Sequence, residues 1–399
     1  MYLIVARFKE QEDLMRKPVI GILTLILAGI TAPLGAQQPC PGLTVVVNSP
    51  EDQMMLAVNG ADTPQDQVTA LDKYAAAHGD APAMTCANEL YTAAYVKEND
   101  FAKAIAAGEK DLAANYLDGN LAINLAKAYV GAGQATDNAF ALIDKAPDVI
   151  KAEANPPKPS NTSDAAWQSN LAAWAESAKQ QRAYMEYAFF QLLGRVPDAN
   201  KRIQYLDAFS KAYADSPNLG GIYAQYVVAY GGLNNGAKAD EYAEKAVTAS
   251  PSDVATLILV ADNYATRQVH LDKAEADAKK ALDLATAMKK PDGVSDADFQ
   301  AQQNLQLAAA HLTLGFVAFQ HGSATHRMTG AIQELKTASD LGKADPALQA
   351  RALFYMGYAY EEQSPPNHHA AAEVLTQAAS LQSPWQGQAQ ALLAKIPKK

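Results

Sequence analysis

Residues 220–251 read GGIYAQYVVAYGGLNNGAKADEYAEKAVTASP. Tyr223, Tyr226, Val227 and Tyr230 stand at the three- and four-residue intervals that gather side chains on one face of an α-helix. Gly231, Gly232 and the run Asn234 to Gly236 break that helix. Ala239, Ala243, Ala246 and Val247 then line a second helix, and Pro251 ends the unit. The arrangement has a physical logic. Small side chains on the second helix let the first approach closely, and aromatic rings fill the space that remains.

The unit recurs. Pro217 and Pro251 stand 34 residues apart, and Pro82, Tyr116 and Ile150 mark equivalent ends at the same interval. Tyr95 precedes Ala104 by nine residues and Tyr230 precedes Ala239 by nine; Tyr264 precedes Ala274 by ten, an insertion of one. Leu314 and Gly315 pair with Ala331, Leu335 and Ala338; Leu353, Met356, Gly357 and Tyr360 pair with Ala371, Leu375, Ala378 and Pro384. Two places depart from the pattern: Asn138 stands nine after Tyr129, and Gly108 and Asp111 occupy expected apolar positions. A fixed period of this kind is the signature of stacked repeats.

These residues resemble the tetratricopeptide repeat (TPR), a helix–turn–helix of about 34 residues. The resemblance implies an all-α fold, a right-handed superhelical α-solenoid of TPR-like helix-turn-helix repeats. It also implies a protein-interaction role, because the repeat surface is itself the usual binding device of that family.

A larger duplication overlies the repeats. SDAAWQ at 163–168 matches SDADFQ at 295–300, and each follows a Pro-containing linker. Ser163 and Ser295 are good N-caps for long helices. The expected organisation is an export signal at 1–36, an extended tail at 37–49 and a degenerate first repeat at 50–82. Two repeat triplets follow, 83–217 and 218–346, each with an extended third repeat. A final repeat spans 347–384, and a capping helix and tail span 385–399. Terminal caps are needed because an end repeat would otherwise expose its apolar face.

Hydrophobic residues make up 49% of the chain and charged residues 19%, so a large core is available and a disordered polyelectrolyte is excluded. Alanine, the best helix former, recurs in runs, and TVVV at 44–47 is the one valine-rich stretch. The formal charge is −10. That balance disfavours nucleic acid and anionic membrane surfaces as partners.

Met15, Arg16 and Lys17 precede an uncharged run from Val19 to Ile30 and a small-residue exit at Ala36. This is the pattern of a secretory signal, with translation start at Met15 an open alternative. The expected location is periplasmic or secreted, without membrane insertion after cleavage; an uncleaved inner-membrane anchor is the alternative. In an oxidising compartment Cys40 and Cys86 are candidates for a disulfide, the alternative being two thiols with Cys86 packed as a small apolar residue.

No nucleophile elbow, phosphate-cradling loop, dinucleotide fingerprint or zinc-protease motif occurs in the sequence. No enzyme activity and no cofactor are expected. Glu361 and Glu362 read as a solvated helix end rather than an acid–base pair. His321, His326, His368 and His369 fall in adjacent repeat loops, where a metal site is conceivable, although no ligand set is complete.

The stronger expectation concerns the wall formed by the first helices of the repeats. Spacing places Glu89, Ile123, Lys127, Tyr187, Phe190, Ile258, Asp262, Phe316, Phe319, Arg351, Phe354 and Tyr358 on it. The C-terminal members are aromatic, which suits recognition of a protein or peptide. The competing expectation is that these rings pack against the extended arms. The basic set with which some TPR proteins grip a C-terminal carboxylate is missing.

Overall fold

A computed structural model describes residues 46–79, 83–291 and 293–397. Every regular element among them is helical, and the helices pack in sequential antiparallel pairs. The fold is therefore an all-α array of TPR-like hairpins. Cα packing divides it between Ala214 and Asp215 into two compact units. The export signal expected at 1–36, the tail to residue 45 and Cys40 lie outside the described residues.

The N-terminal unit holds α1 (Pro50–Asn59), α2 (Pro64–His78), α3 (Met84–Lys97), α4 (Phe101–Ala113), α5 (Gly119–Ala132), α6 (Asp137–Glu153), α7 (Asp164–Leu193) and α8 (Ala199–Ala212). The C-terminal unit holds α9 (Leu219–Gly232), α10 (Gly236–Ala249), α11 (Val254–Arg267), α12 (Leu271–Thr286), α13 (Asp296–Ser323), α14 (Thr329–Leu341), α15 (Pro346–Glu362), α16 (His368–Ser380) and α17 (Gln386–Leu393). There α9, α11, α13 and α15 each pack on the helix that follows and also on one another in succession, so first helices make a continuous wall.

The helices begin where side-chain chemistry starts them. Ser163 and Ser295 accept the amides of Ala166 and Asp298, launching α7 (30 residues) and α13 (28 residues). Asp118, Asp198, Asp253 and Asn235 do the same elsewhere. Each such cap satisfies an amide that has no partner inside the helix and is worth about 1 kcal/mol.

Four first helices, α3, α5, α9 and α11, end alike. Asn99, Gly133, Asn234 and Gln268 adopt left-handed φ of 60°, 67°, 56° and 56°. In each case the next amide turns back to a tyrosine carbonyl: Asp100 to Tyr95, Gln134 to Tyr129, Asn235 to Tyr230 and Val269 to Tyr264, at 2.9–3.0 Å. This left-handed stop closes the helix and sets the direction of the second.

Within a hairpin, a glycine on the first helix receives a leucine from the second. A Cβ on Gly315 would sit 2.7 Å from the Cγ of Leu335, and one on Gly357 would sit 2.5 Å from that of Leu375. At Tyr129 the irregularity resolves simply: Asn138 is exposed and Ala139 takes the buried place, a one-residue insertion.

Pro147 lies inside α6 and removes the amide that would bond the carbonyl of Ile143. The Tyr213 hydroxyl donates to that carbonyl at 2.9 Å in a buried setting, so a side chain supplies the missing donor. Cys86 is buried on α3 and is not a free thiol.

Candidate functional site

The candidate residues divide between the two units. In the N-terminal unit Lys127 of α5 is half-buried, its ammonium 5.7 Å over the ring of Tyr184 on α7; desolvation lowers its pKa. Glu89, Tyr187 and Phe190 are buried, with Phe190 6% exposed and its ring tilted against Phe209. Ile123 is half-buried. Burial of Phe190 removes it from an accessible lining, because the α8 ring of Phe209 packs against it.

In the C-terminal unit three of the expected lining residues are likewise covered. Ile258 packs with Leu257, Ala281, Ala285 and Ala310. Phe316 and Phe319 are 4% and 6% exposed. They pack against Tyr355 and Tyr358 of the next first helix, α15. These rings make the backing of the wall rather than its open face.

Less covered are Asp262 on α11, Arg351 and Phe354 on α15, and two residues the spacing did not indicate, Tyr355 and Trp385, all half-buried, together with the exposed Tyr358 on α15. Arg351 reaches across α13 to Asp262 in a bidentate pair, Nη1 to Oδ2 at 2.9 Å and Nη2 to Oδ1 at 2.8 Å. Its guanidinium lies 5.7 Å over Phe316, 5.8 Å over Tyr355 and 5.7 Å over Trp385. Such contacts add about 0.5–2 kcal/mol each when partly desolvated. Burial disfavours the guanidinium charge, but Asp262 beside it outweighs burial and raises the pKa.

Phe354 and Tyr358, one helical turn apart, stack with 6.4 Å between centroids and 17° between planes. Phe354 is half-buried and meets Trp385 at 5.3 Å; Tyr358 is 37% exposed. The result is a fixed cation flanked by accessible aromatic surface, with the rings held by their neighbours. Tyr355 carried a signal that was there to be used, since it stands four residues after Arg351 on the same helix face. Trp385 carried none, because it enters from the turn before α17, outside the repeat spacing.

Three histidines of the C-terminal unit each meet a single glutamate residue. His368 Nδ1 lies 3.0 Å from Glu361, and His326 Nδ1 lies 2.8 Å from the carbonyl of Glu362. His311 Nδ1 lies 2.6 Å from Glu334. Among the described residues no three His, Cys, Asp or Glu side chains come together to hold a metal ion.

No family model matches the chain, and no curated protein matches it. Among solved structures it is similar to a chain of the APC/C hetero-tetramer Cut9–Hcn1, with a TM-score of 0.41 and 13% identity over 87% of this chain and 63% of that one. It is also similar to the C-terminal part of a TPR repeat-containing protein from Cytophaga hutchinsonii, with a TM-score of 0.38 and 15% identity over 76% of this chain and 98% of that one. The chain thus spans less than two-thirds of the first of these. The fold assignment rests on this chain's own helix pairs and turns.

Proposed function

We propose that this chain is an exported, non-catalytic scaffold that holds a protein or peptide segment against the wall of first helices in its C-terminal unit. The reading is carried by one observation: Arg351 is pinned to Asp262 between aromatic rings, beside Phe354 and the exposed Tyr358. Rings whose rotamers are already fixed lose little entropy on binding, so contacts made to them translate into affinity. Amphipathic tyrosine and tryptophan edges and arginine are the residue types that dominate protein interfaces.

A spacer or envelope-assembly subunit is the second reading, and it calls for an apolar outer face. Among the described residues the exposed large hydrophobics are Val46, Val47, Leu56, Leu233 and Tyr358. None of them lies on a second helix of the C-terminal unit, which favours the scaffold. Among the described residues no helix is long and apolar enough to cross a membrane.

The test is capture from an envelope extract by the immobilised chain, with bound proteins identified by mass spectrometry. The double substitution Phe354→Ala, Tyr358→Ala should reduce specific capture at least about tenfold, the loss of one or two hot-spot contacts. Helicity by circular dichroism should stay unchanged. Capture equal to that of the unaltered chain would reject the wall as the binding surface.

A further inference from the structure

The departure from the repeat pattern at Asp111 leads to a second feature of the molecule. Asp111 is fully buried on α4, where the repeat calls for an apolar side chain. Asn88 of α3 donates to its Oδ1 at 3.0 Å, while its Oδ2 is buried without a partner. Glu89, beside Asn88, is 5% exposed. The Tyr116 hydroxyl lies between two acids, 3.1 Å from Glu89 and 2.6 Å from Asp118, with one proton to share between them. Glu153 of α6 closes the far side, accepting the Gly119 amide at 2.9 Å. Gln181 of α7 lies against Gly119 as well. From α2, Asp72 is occupied by the Tyr91 hydroxyl at 2.7 Å.

The seam of α3, α4 and α5, with α6 beside it, therefore gathers four carboxyls: Glu89, Asp111, Asp118 and Glu153. The cation acting on Asp111 is Lys110, which is exposed. A buried carboxylate without a counter-charge is unstable, and it can be neutralised by a metal ion or by a proton. Among the described residues no three acidic side chains converge closely enough for a metal. The proton remains. Burial, with Asp118 and Asp111 adding to it, pushes Glu89 up to about 8 against the opposing hydrogen bond from Tyr116. Burial likewise pushes Asp111 up to about 7, more than Asn88 and Lys110 lower it. Burial also raises Glu153.

We propose that Glu89 and Asp111 are held as neutral carboxyl groups in the folded chain, making the α3–α4–α5 seam a proton-operated joint that loosens as the surroundings turn alkaline. The unpaired Oδ2 of Asp111 is the atom a proton would occupy. The sign follows from linkage. Both groups bind protons more tightly folded than unfolded, where carboxyls titrate near pH 4. Their stabilising effect is complete below that value and is lost as pH rises through about 7 for Asp111 and about 8 for Glu89. Asp144 of α6, raised by burial to about 6, titrates below this window and is separable from it.

The experiment is hydrogen exchange of the full chain, corrected for intrinsic rates, from about pH 6 to about pH 9. Protection across residues 84–132 should fall at least about tenfold relative to residues 254–323, since each pH unit between the unfolded and the folded pKa of one such group is a factor of about ten. The paired substitution Glu89→Gln, Asp111→Asn should abolish that difference. Infrared spectra of the unaltered chain at neutral pH should show a protonated-carboxyl stretch that disappears above about pH 9, a readout that stands even if the variant does not fold. Parallel protection in the two segments, or no such stretch at neutral pH, overturns the proposal. So does calcium or magnesium restoring the lost protection, which would make the neutralising species a cation.

Discussion

Tyr213 shows how one side chain can complete a helix. Proline at position 147 leaves the Ile143 carbonyl without its amide, and the fully buried Tyr213 hydroxyl fills the role. Tyr213→Phe keeps the ring stacked on Phe209 at 4.1 Å but strands that carbonyl. An unsatisfied buried acceptor costs about 1–3 kcal/mol, so denaturant unfolding should shift by that amount with helicity preserved. An unchanged midpoint would mean that water reaches Ile143. Legibility at this scale is uneven. Spacing put Phe316, Phe319 and Ile258 on first helices, but spacing on one helix says nothing about what its neighbour covers, and all three are buried. The Arg351–Asp262 pair joins residues 89 apart across an intervening helix, a contact no local pattern encodes.

At the scale of elements the sequence was far more readable, because capping is local chemistry. Ser163 and Ser295 start the two longest described helices through bonds three residues away. The turn that ends first helices is equally local: Tyr is followed four residues on by Asn99, Gly133, Asn234 or Gln268 in the left-handed region. Gln268 is the misfit, an exposed residue at φ 56° with a side chain that disfavours that conformation. Gln268→Gly should stabilise the chain by about 0.5–1 kcal/mol, raising its thermal midpoint by a few degrees. A lowered midpoint would show that the glutamine side chain makes a contact worth more than the strain. Conversely, Gly357→Ala drives a methyl toward Leu375 and should cost about 1–3 kcal/mol by overpacking. A neutral result would mean that the hairpin opens without resistance.

At the scale of the molecule, the period of Pro217 and Pro251 and the alanine-lined second helices were enough for the all-α repeat architecture, since stacked repeats bury their apolar faces only on one another. Function is less legible, because a binding wall is defined by which side chains stay accessible after stacking. Here that selection leaves Phe354 and Tyr358 beside a fixed Arg351, and it leaves the outer second-helix positions polar, as at Glu244 and Lys273. Site-directed photo-crosslinking tests this division most directly. With a photoreactive phenylalanine analogue replacing Tyr358, irradiation of the chain in envelope extract should give a discrete protein adduct, while the same analogue replacing Lys273 on α12 should give none. Adducts of equal yield at both positions, or an adduct at 273 alone, would contradict the assignment of binding to the first-helix wall.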